Sequence, residues 1–235
     1  MSVLLGIRLS YEFVRMSDKE APGIAYAIPA IAVIVSLILL VMGYGFYALA
    51  VVGVGSLIAG AERFRRGGVA WSLLGLIYIA VPVLATQFIR GHEAGFTSAA
   101  FQRFLFVVLV VVAADVGAYL GGSKIGGPKM APKLSPNKTW SGFFSGLILA
   151  CIIGMISMAV FQKSILWGLI LAIPISIVSV IGDFSESAMK RKLNVKDTGQ
   201  LLPGHGGLLD RLDALMAAML IFAIVLLINP SIWPI

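Results

Sequence analysis

Long apolar segments separated by short polar ones dominate the 235-residue chain. Their lengths are close to the roughly 20 residues that an α-helix needs to cross a bilayer. We predict seven membrane spans at residues 24–43, 46–61, 69–89, 104–120, 140–160, 165–182 and 212–233. The pattern therefore predicts an all-α, polytopic membrane protein with about seven transmembrane helices and polar loops on the cytoplasmic side.

Composition supports this prediction. Hydrophobic residues make up 59% of the chain and charged residues 12%, and the mean hydropathy is +0.99, which is more apolar than a soluble core requires. The apolar run within residues 1–20 is too short for a signal peptide, so we expect a retained cytoplasmic or interfacial segment. The single cysteine, Cys151, excludes an intrachain disulfide.

The basic residues are distributed unevenly between the two sides of the predicted membrane. With the N-terminus in the cytoplasm, all but three of the 18 Lys and Arg residues lie inside. The three on the outside are Arg90, Arg103 and Lys163. This orientation obeys the positive-inside rule. The net charge of +7 is compatible with anionic lipid, a phosphorylated substrate or nucleic acid, and its distribution around the spans leads us to predict no nucleic acid.

Four aspartates lie at a similar depth near the predicted cytoplasmic face: Asp115, Asp183, Asp210 and Asp213. Carboxylates at membrane depth are costly, and they usually face a polar cavity, a cation or a basic partner. Asp115 is embedded in an otherwise apolar segment. We therefore interpret these acids as parts of a site, with a purely structural role as the alternative for Asp115.

The sixth span continues as helix-compatible sequence through VIGDFSESAMKRK. In a helix, Asp183, Glu186, Ser187 and Lys190 occupy one face. Carboxylates that converge from neighbouring helix ends repel one another unless a cation lies between them. Magnesium takes oxygen ligands and needs only one or two protein carboxylates when phosphates are present.

Glycines and a proline exclude a continuous helix between the last two spans. They are Gly199, Pro203, Gly204, Gly206 and Gly207. Gly206 and Gly207 precede a helix start, where backbone N–H groups can approach a phosphate closely. His205 is the residue here that can carry a proton near neutral pH, either as a base or as an orienting group.

The other long inside loop, residues 121–139, is rich in lysine and glycine. Ser135 followed by Pro136 fits an N-cap with proline at the first helical position, which predicts a helix start near Asn137. Lys133 and Lys138 would flank this helix N-terminus and could bind a second anion. The simpler interpretation, a capped helix with lysines that set topology, remains open.

Together, bases on two loops and carboxylates on three helix ends suit a metal-bound polyphosphate and a lipid-anchored anion. Phosphoryl or nucleotidyl transfer depends mainly on positioning and charge neutralisation. The residues therefore indicate one of these two reactions at the cytoplasmic face of a membrane.

The stretch SESAMKRKLNVKDTGQLLPGHGGLLDRLD, from Ser185 to Asp213, resembles the signature of phosphatidate cytidylyltransferases, also called CDP-diglyceride synthases. The matching positions are Ser187, Lys190, Arg191, Lys196, Asp197, residues 203–207, Asp210, Arg211 and Asp213. The upstream stretch ADVGAYLGGSKIGGPKMAPKLSPNKTWSG is similar to a second block of that family. The resemblance extends from about Asp115 to Asp213 and is only general before that.

The resemblance implies transfer of CMP from CTP to phosphatidate, giving CDP-diacylglycerol and pyrophosphate at the cytoplasmic face of the inner membrane. It implies Mg²⁺ as cofactor, leaves a second cation open, and implies a homodimer. The metal ligands would be Asp183, Asp210 and Asp213. We predict as catalytic Asp183, Ser187, Lys190, Arg191, Lys196, Asp197, His205, Asp210, Arg211 and Asp213. We predict as substrate-binding Asp115, Lys133, Ser135, Lys138, Thr139, Gly206 and Gly207.

Two departures from the family pattern stand out. Ser141 occupies a position where members commonly have a glutamate, and members tend to have more apolar sequence before the segment YEFVR. We therefore expect this chain to lack one or two N-terminal spans. By function, we divide the chain into a lipid-facing scaffold, residues 1–114, and a catalytic membrane region, residues 115–235.

Two other functions compete with cytidylyl transfer. A CTP-dependent polyprenol or phytol kinase would act on a lipid hydroxyl and would need a base such as Asp115 or His205. A cation transporter would use the intramembrane acids as an ion path, but the outer halves of the spans are apolar apart from scattered Ser, Thr and Gly.

Overall fold

The computed structural model describes residues 1–91, 93, 95, 97–199, 201 and 206–233. In this part of the chain, eight α-helices and one short β-hairpin form. The helices are α1 (Ser2–Ser17), α2 (Gly23–Val41), α3 (Gly45–Arg63), α4 (Val69–Arg90), α5 (Ala99–Ile125), α6 (Trp140–Val160), α7 (Ile165–Lys192) and α8 (Leu209–Ile228). The strands are β1 (Lys129–Ala131) and β2 (Ser135–Thr139). The predicted all-α class is confirmed.

Seven of these helices, α2 to α8, are long and apolar enough to cross a membrane. In hydrocarbon a helix satisfies its own backbone hydrogen bonds, which is why uninterrupted apolar segments adopt this form. The chain is an integral membrane protein. All seven predicted spans are found, and α6 has the predicted bounds. The longest helices, α5 and α7, run past their predicted spans into polar sequence.

The chain forms two compact units. The first comprises Met1–Phe88 and Lys192–Leu212, and the second comprises Ile89–Arg191 and Asp213–Ile235. This is a division by contacts. The division by function at residue 115 stays a prediction.

In the first unit, α1 packs against membrane helices through small residues. A Cβ atom on Gly6 would lie 2.6 Å from a methyl group of Val33 on α2. A Cβ on Gly75 of α4 would lie 2.1 Å from the ring of Phe13 on α1. Both distances are below van der Waals contact, so the two glycines let α1 approach α2 and α4 closely. This N-terminal helix therefore has a buried face, which includes Leu9, Phe13 and Met16.

In the second unit, glycines allow the backbones of α5 and α6 to touch. A Cβ on Gly117 would lie 2.8 Å from the carbonyl oxygen of Ser145, and a Cβ on Gly146 would lie 2.5 Å from that of Ala114. Small residues at such positions are typical of close helix pairs in membranes. This contact fixes the end of α5 that carries Asp115 beside the start of α6.

The start of α6 corrects one prediction. Ser135 and Pro136 belong to β2, which pairs antiparallel with β1, and the helix begins at Trp140. The N-cap is Thr139, whose hydroxyl accepts a hydrogen bond from Gly142 N at 3.1 Å. The predicted Ser135 cap and the helix start near Asn137 are wrong, because strand pairing satisfies this part of the backbone instead.

Candidate functional site

Three aspartates of the second unit form one electrostatic cluster around a lysine. Asp115 lies on α5, Asp183 on α7 and Asp213 on α8. Asp115 interacts electrostatically with Lys138 of β2 and with both other aspartates. The structure therefore brings together residues that the sequence predicted as metal-binding and substrate-binding from elements that are far apart in the chain.

Lys138 forms an ion pair with Asp183. The side chains are 28% and 32% exposed, respectively, so solvent and ligands can reach the pair. The ammonium group also lies 4.8 Å from the centre of the Phe184 ring, within the range of a cation–π contact. Lys138 thus contacts two neighbouring side chains of α7.

A cavity of about 240 Å³ opens beside this lysine. Its lining includes Asp115 and Tyr119 of α5, Lys138 and Thr139 of β2, and Phe143 of α6. Most of the lining is apolar, and a carboxylate and an ammonium group provide the charge. This combination can accept a ligand that has both an apolar part and an anionic group.

Close packing of α7 against α8 places Asp183 near Asp213. A Cβ on Gly182 would lie 2.8 Å from the carbonyl oxygen of Asp213, so only a glycine fits beside Asp183 at this contact. Asp213 is 8% exposed, and one of its carboxylate oxygens accepts a hydrogen bond from Ala214 N at 2.8 Å.

The polar face predicted for α7 is confirmed. Glu186 is 1% exposed and lies 3.4 Å from Lys190 in an i,i+4 ion pair. Both residues also interact with Asp213. Two buried acids in contact, Glu186 and Asp213, are costly without a cation nearby. Lys190 provides one positive charge beside them.

The first unit contains a second acidic cluster, built around the glycine-rich signature. Asp210, in the first turn of α8, accepts hydrogen bonds from Thr198 N at 2.9 Å, from Thr198 Oγ1 at 2.9 Å and from Gly207 N at 2.7 Å. All three bonds end on Oδ2. The carboxylate therefore fixes the signature backbone on both sides of residues 200–205.

Gly206 adopts a positive φ of 82°, which side chains rarely tolerate. A Cβ on Gly207 would lie 2.3 Å from Thr198 Oγ1, so this position also requires glycine. The sequence predicted that these two glycines bring backbone N–H groups to an anion. In the structure, the anion that Gly207 N binds is the carboxylate of Asp210.

A groove of about 340 Å³ lies beside this cluster in the first unit. Arg15 and Met16 of α1 line one side, and residues 195–199 line the other. Lys196 and Asp197, both predicted to be catalytic, are exposed here. Arg15 and Lys196 each contribute a positive charge that suits a phosphate group, and Asp197 contributes one negative charge.

The remaining predicted residues lie at the surface or partly buried. Arg191, Arg211 and Lys133 are exposed, and Ser187, Lys190 and Ser135 are half-buried. His205 lies outside the described residues. The catalytic and substrate-binding roles of all these residues stay predictions.

One acid that the sequence analysis missed is Glu12 of α1, which is 1% exposed. The available signal was an acid in the apolar segment SYEFVR, four residues after Arg8. Residues four apart on a helix can form an ion pair, so the sequence predicts the pair of Arg8 and Glu12. It does not reveal that Glu12 is buried.

Among the described residues, no group of three His, Cys, Asp or Glu side chains could hold a metal ion. A divalent cation at the second-unit cluster would therefore take only one or two protein carboxylates. Magnesium bound together with nucleotide phosphates is usually held in this way. The carboxylate chemistry fits such an ion, and Asp183 and Asp213, which interact electrostatically, would be its ligands.

Known proteins resemble this chain over most of its length. The model of the cytidylyltransferase family matches residues 1–229. A phosphatidate cytidylyltransferase of Brucella suis is 38% identical over 223 residues, which cover 92% of this chain and 79% of the relative. The same enzyme of Staphylococcus saprophyticus is 35% identical over 168 residues, covering 71% and 62%. That of Haemophilus influenzae is 44% identical over 125 residues, covering 51% and 43%.

Proposed function

This chain belongs to the cytidylyltransferase family, and we propose that it transfers CMP from CTP to phosphatidate, giving CDP-diacylglycerol and pyrophosphate. The observation that carries this proposal is the 38% identity to the Brucella suis phosphatidate cytidylyltransferase, over 92% of this chain. The aspartates and lysine of the second unit lie within residues 1–229, which the family model matches. The lysine supplies a positive charge for a phosphate group, and the aspartates are oxygen ligands for a divalent cation.

The reaction joins two anions. A phosphate oxygen of phosphatidate attacks the α-phosphorus of CTP and forms a new P–O bond, while the bond from that phosphorus to the bridging oxygen breaks. Pyrophosphate leaves with the electron pair. A phosphate monoester has its second pKa near 6, so the attacking oxygen is already ionised at neutral pH and no protein base is needed.

Lys138 is the residue best placed to hold one of these phosphates. Its ammonium group pairs with Asp183 and lines the cavity that also contains Asp115. A phosphate oxygen that enters this cavity would share Lys138 with Asp183. The apolar part of the cavity would receive the non-phosphate portion of the same substrate.

Magnesium would be held by Asp183 and Asp213. When bound, it would neutralise phosphate charge and stabilise the departing pyrophosphate. Glu186 and Lys190 would keep Asp213 oriented, because both interact with it. The assignment of Asp210 as a further metal ligand stays a prediction.

The chain would act in the cytoplasmic membrane with this site facing the cytoplasm, because most of its Lys and Arg residues lie in loops on one predicted side. A homodimer is also part of the proposal. Light scattering of the protein in detergent would give the mass of two chains if the dimer forms, and of one chain if it does not.

The function is tested by product analysis. Purified protein in detergent with magnesium, CTP and phosphatidate should release pyrophosphate and form an equal amount of CDP-diacylglycerol, detected by mass spectrometry. Omission of phosphatidate should stop both. Formation of CDP and a phosphorylated polyprenol, when a polyprenol replaces phosphatidate, would instead support a lipid kinase and contradict the proposal.

A further inference from the structure

Glu12 is a buried carboxylate that belongs to none of the residue sets predicted from the sequence. Its side chain is 1% exposed, although it lies on the N-terminal helix α1. A buried charge is tolerated only where partners satisfy it. Its partners therefore indicate what the residue does.

The two oxygens of Glu12 face different parts of the first unit. Oε1 accepts a hydrogen bond from Arg8 Nε at 3.1 Å and forms an ion pair with Nη2 of the same guanidinium group, also at 3.1 Å. Oε2 accepts from Leu209 N at 2.9 Å and lies 3.5 Å from Thr198 Oγ1. Arg8 is on the same helix, whereas the residues at Oε2 belong to the signature.

Leu209 is the first residue of α8, whose first-turn N–H groups lack partners within the helix. Glu12 satisfies the Leu209 N–H, so a side chain of α1 serves as a cap for α8. An anion at a helix N-terminus also interacts favourably with the helix dipole. The start of α8 is thereby tied to α1 within one compact unit.

Thr198 connects Glu12 to Asp210. Its hydroxyl lies 2.9 Å from Asp210 Oδ2 and 3.5 Å from Glu12 Oε2. Glycines near Thr198 allow the signature backbone to lie against Glu12 with no space for a larger side chain. A Cβ on Gly207 would lie 2.6 Å from Oε2, and a Cβ on Gly199 would lie 3.2 Å from the Glu12 carboxyl carbon.

We propose that Glu12 is a positioning residue of the cytidylyl transfer, which fixes Thr198 and the start of α8 in their reactive positions. The proposal rests on the proposed function. Glu12 acts through Thr198 and Leu209, and it does not contact the substrates. Misplacement of a reactive segment by about 1 Å can reduce turnover about 100-fold.

All partners of Glu12 can donate hydrogen bonds, which makes a graded test possible. Glu12→Gln keeps one carbonyl oxygen for Leu209 N and turns its NH₂ group toward Arg8, which is 34% exposed and can move away. Glu12→Leu removes both acceptors at similar volume. We expect kcat to fall less than about tenfold for Gln and about 100-fold for Leu.

The matched control is Glu62→Leu. Glu62 also pairs with an arginine four residues away, Arg66, at 2.7 Å in the first unit, but it has no hydrogen bond or ion pair with the described residues of the signature. We expect its kcat to stay within about twofold of the wild type, since an exposed ion pair contributes little to stability.

Hydrogen exchange in detergent separates positioning from general destabilisation. Glu12→Leu should speed exchange of the Thr198 and Leu209 amides by more than tenfold, while exchange of the amides of residues 79–83 in α4 stays close to wild type. The melting temperature should fall only by the small amount expected for the loss of one helix cap. The KM values for CTP and phosphatidate should change much less than kcat.

Three results would overturn the proposal. One is a Glu12→Leu variant with wild-type kcat, and another is faster exchange in α4 to the same extent as in the signature. The third is wild-type protein that transfers no CMP, which would overturn the proposed function as well. An active wild type with an unaffected Glu12→Leu variant would overturn the positioning role alone.

Discussion

The two acidic clusters hold their carboxylates with different kinds of partner. In the second unit, Asp183 pairs with the ammonium group of Lys138, and both side chains are partly exposed. In the first unit, Asp210 and Glu12 accept hydrogen bonds from backbone N–H groups of the signature and of α8. The cluster of the second unit therefore depends on contacts between side chains, whereas that of the first unit depends on hydrogen bonds to backbone N–H groups.

This difference separates acids that can exchange partners from acids that cannot. A cation can replace Lys138 beside Asp183, and a phosphate can replace Asp183 beside Lys138, without any change in the backbone. A ligand that displaced Thr198 N and Gly207 N from Asp210 would leave backbone donors unsatisfied, which is costly. We therefore expect substitutions in the second unit to affect chemistry, and those in the first unit to affect the conformation of the signature.

The largest effect is expected from Asp183→Asn. An amide cannot replace a carboxylate that holds a catalytic cation, a contribution of several kcal/mol, so kcat should fall about 1,000-fold. The melting temperature in detergent should stay close to wild type, because the pair with Lys138 is partly exposed. A variant that keeps more than about a tenth of the activity would contradict the role of Asp183.

Substitution of Lys138 should have the next largest effect. Lys138→Met removes the positive charge that neutralises phosphate, and loss of one such group reduces kcat about 100-fold. Lys138→Arg keeps the charge and should retain more activity than Lys138→Met. Equal losses in initial-rate assays of the two variants would show that the charge is not what matters at this position.

Gly207→Ala tests the backbone cluster. The added Cβ would lie 2.3 Å from Thr198 Oγ1, so the signature must shift, and we expect kcat to fall about 10- to 100-fold. Gly53→Ala on α3 is the matched control, because no atom lies within 4 Å of a Cβ at that position. If both variants had the same turnover, the close contact at Gly207 would be unimportant.

The sequence was sufficient for the membrane spans, because apolar length alone decides which segments cross a bilayer. It also predicted the polar face of α7, since helical spacing places Asp183, Glu186 and Lys190 together. It failed at β2, where Ser135 and Pro136 fit a helix cap equally well and strand pairing decided the outcome. It also missed Glu12, whose partners Thr198 and Leu209 are nearly 200 residues away in the chain.

The smallest effect is expected at the start of α6. Thr139→Ala removes the N-cap, and such a loss costs about 1 kcal/mol of stability. Ser98→Ala removes the corresponding cap of α5, where the hydroxyl accepts from Phe101 N at 3.2 Å. Thermal unfolding should show similar losses for both variants. A higher KM for CTP only in Thr139→Ala would support its predicted contact with substrate.

The central claim is that CMP, and not a terminal phosphate, moves to phosphatidate. The most direct measurement follows CTP labelled on either the α- or the γ-phosphate through a reaction with purified protein, magnesium and phosphatidate. The α-label should enter the lipid phase, and the γ-label should remain in water as pyrophosphate. Retention of the α-label in water while active protein consumes CTP, or transfer of the γ-label to lipid, would contradict the claim.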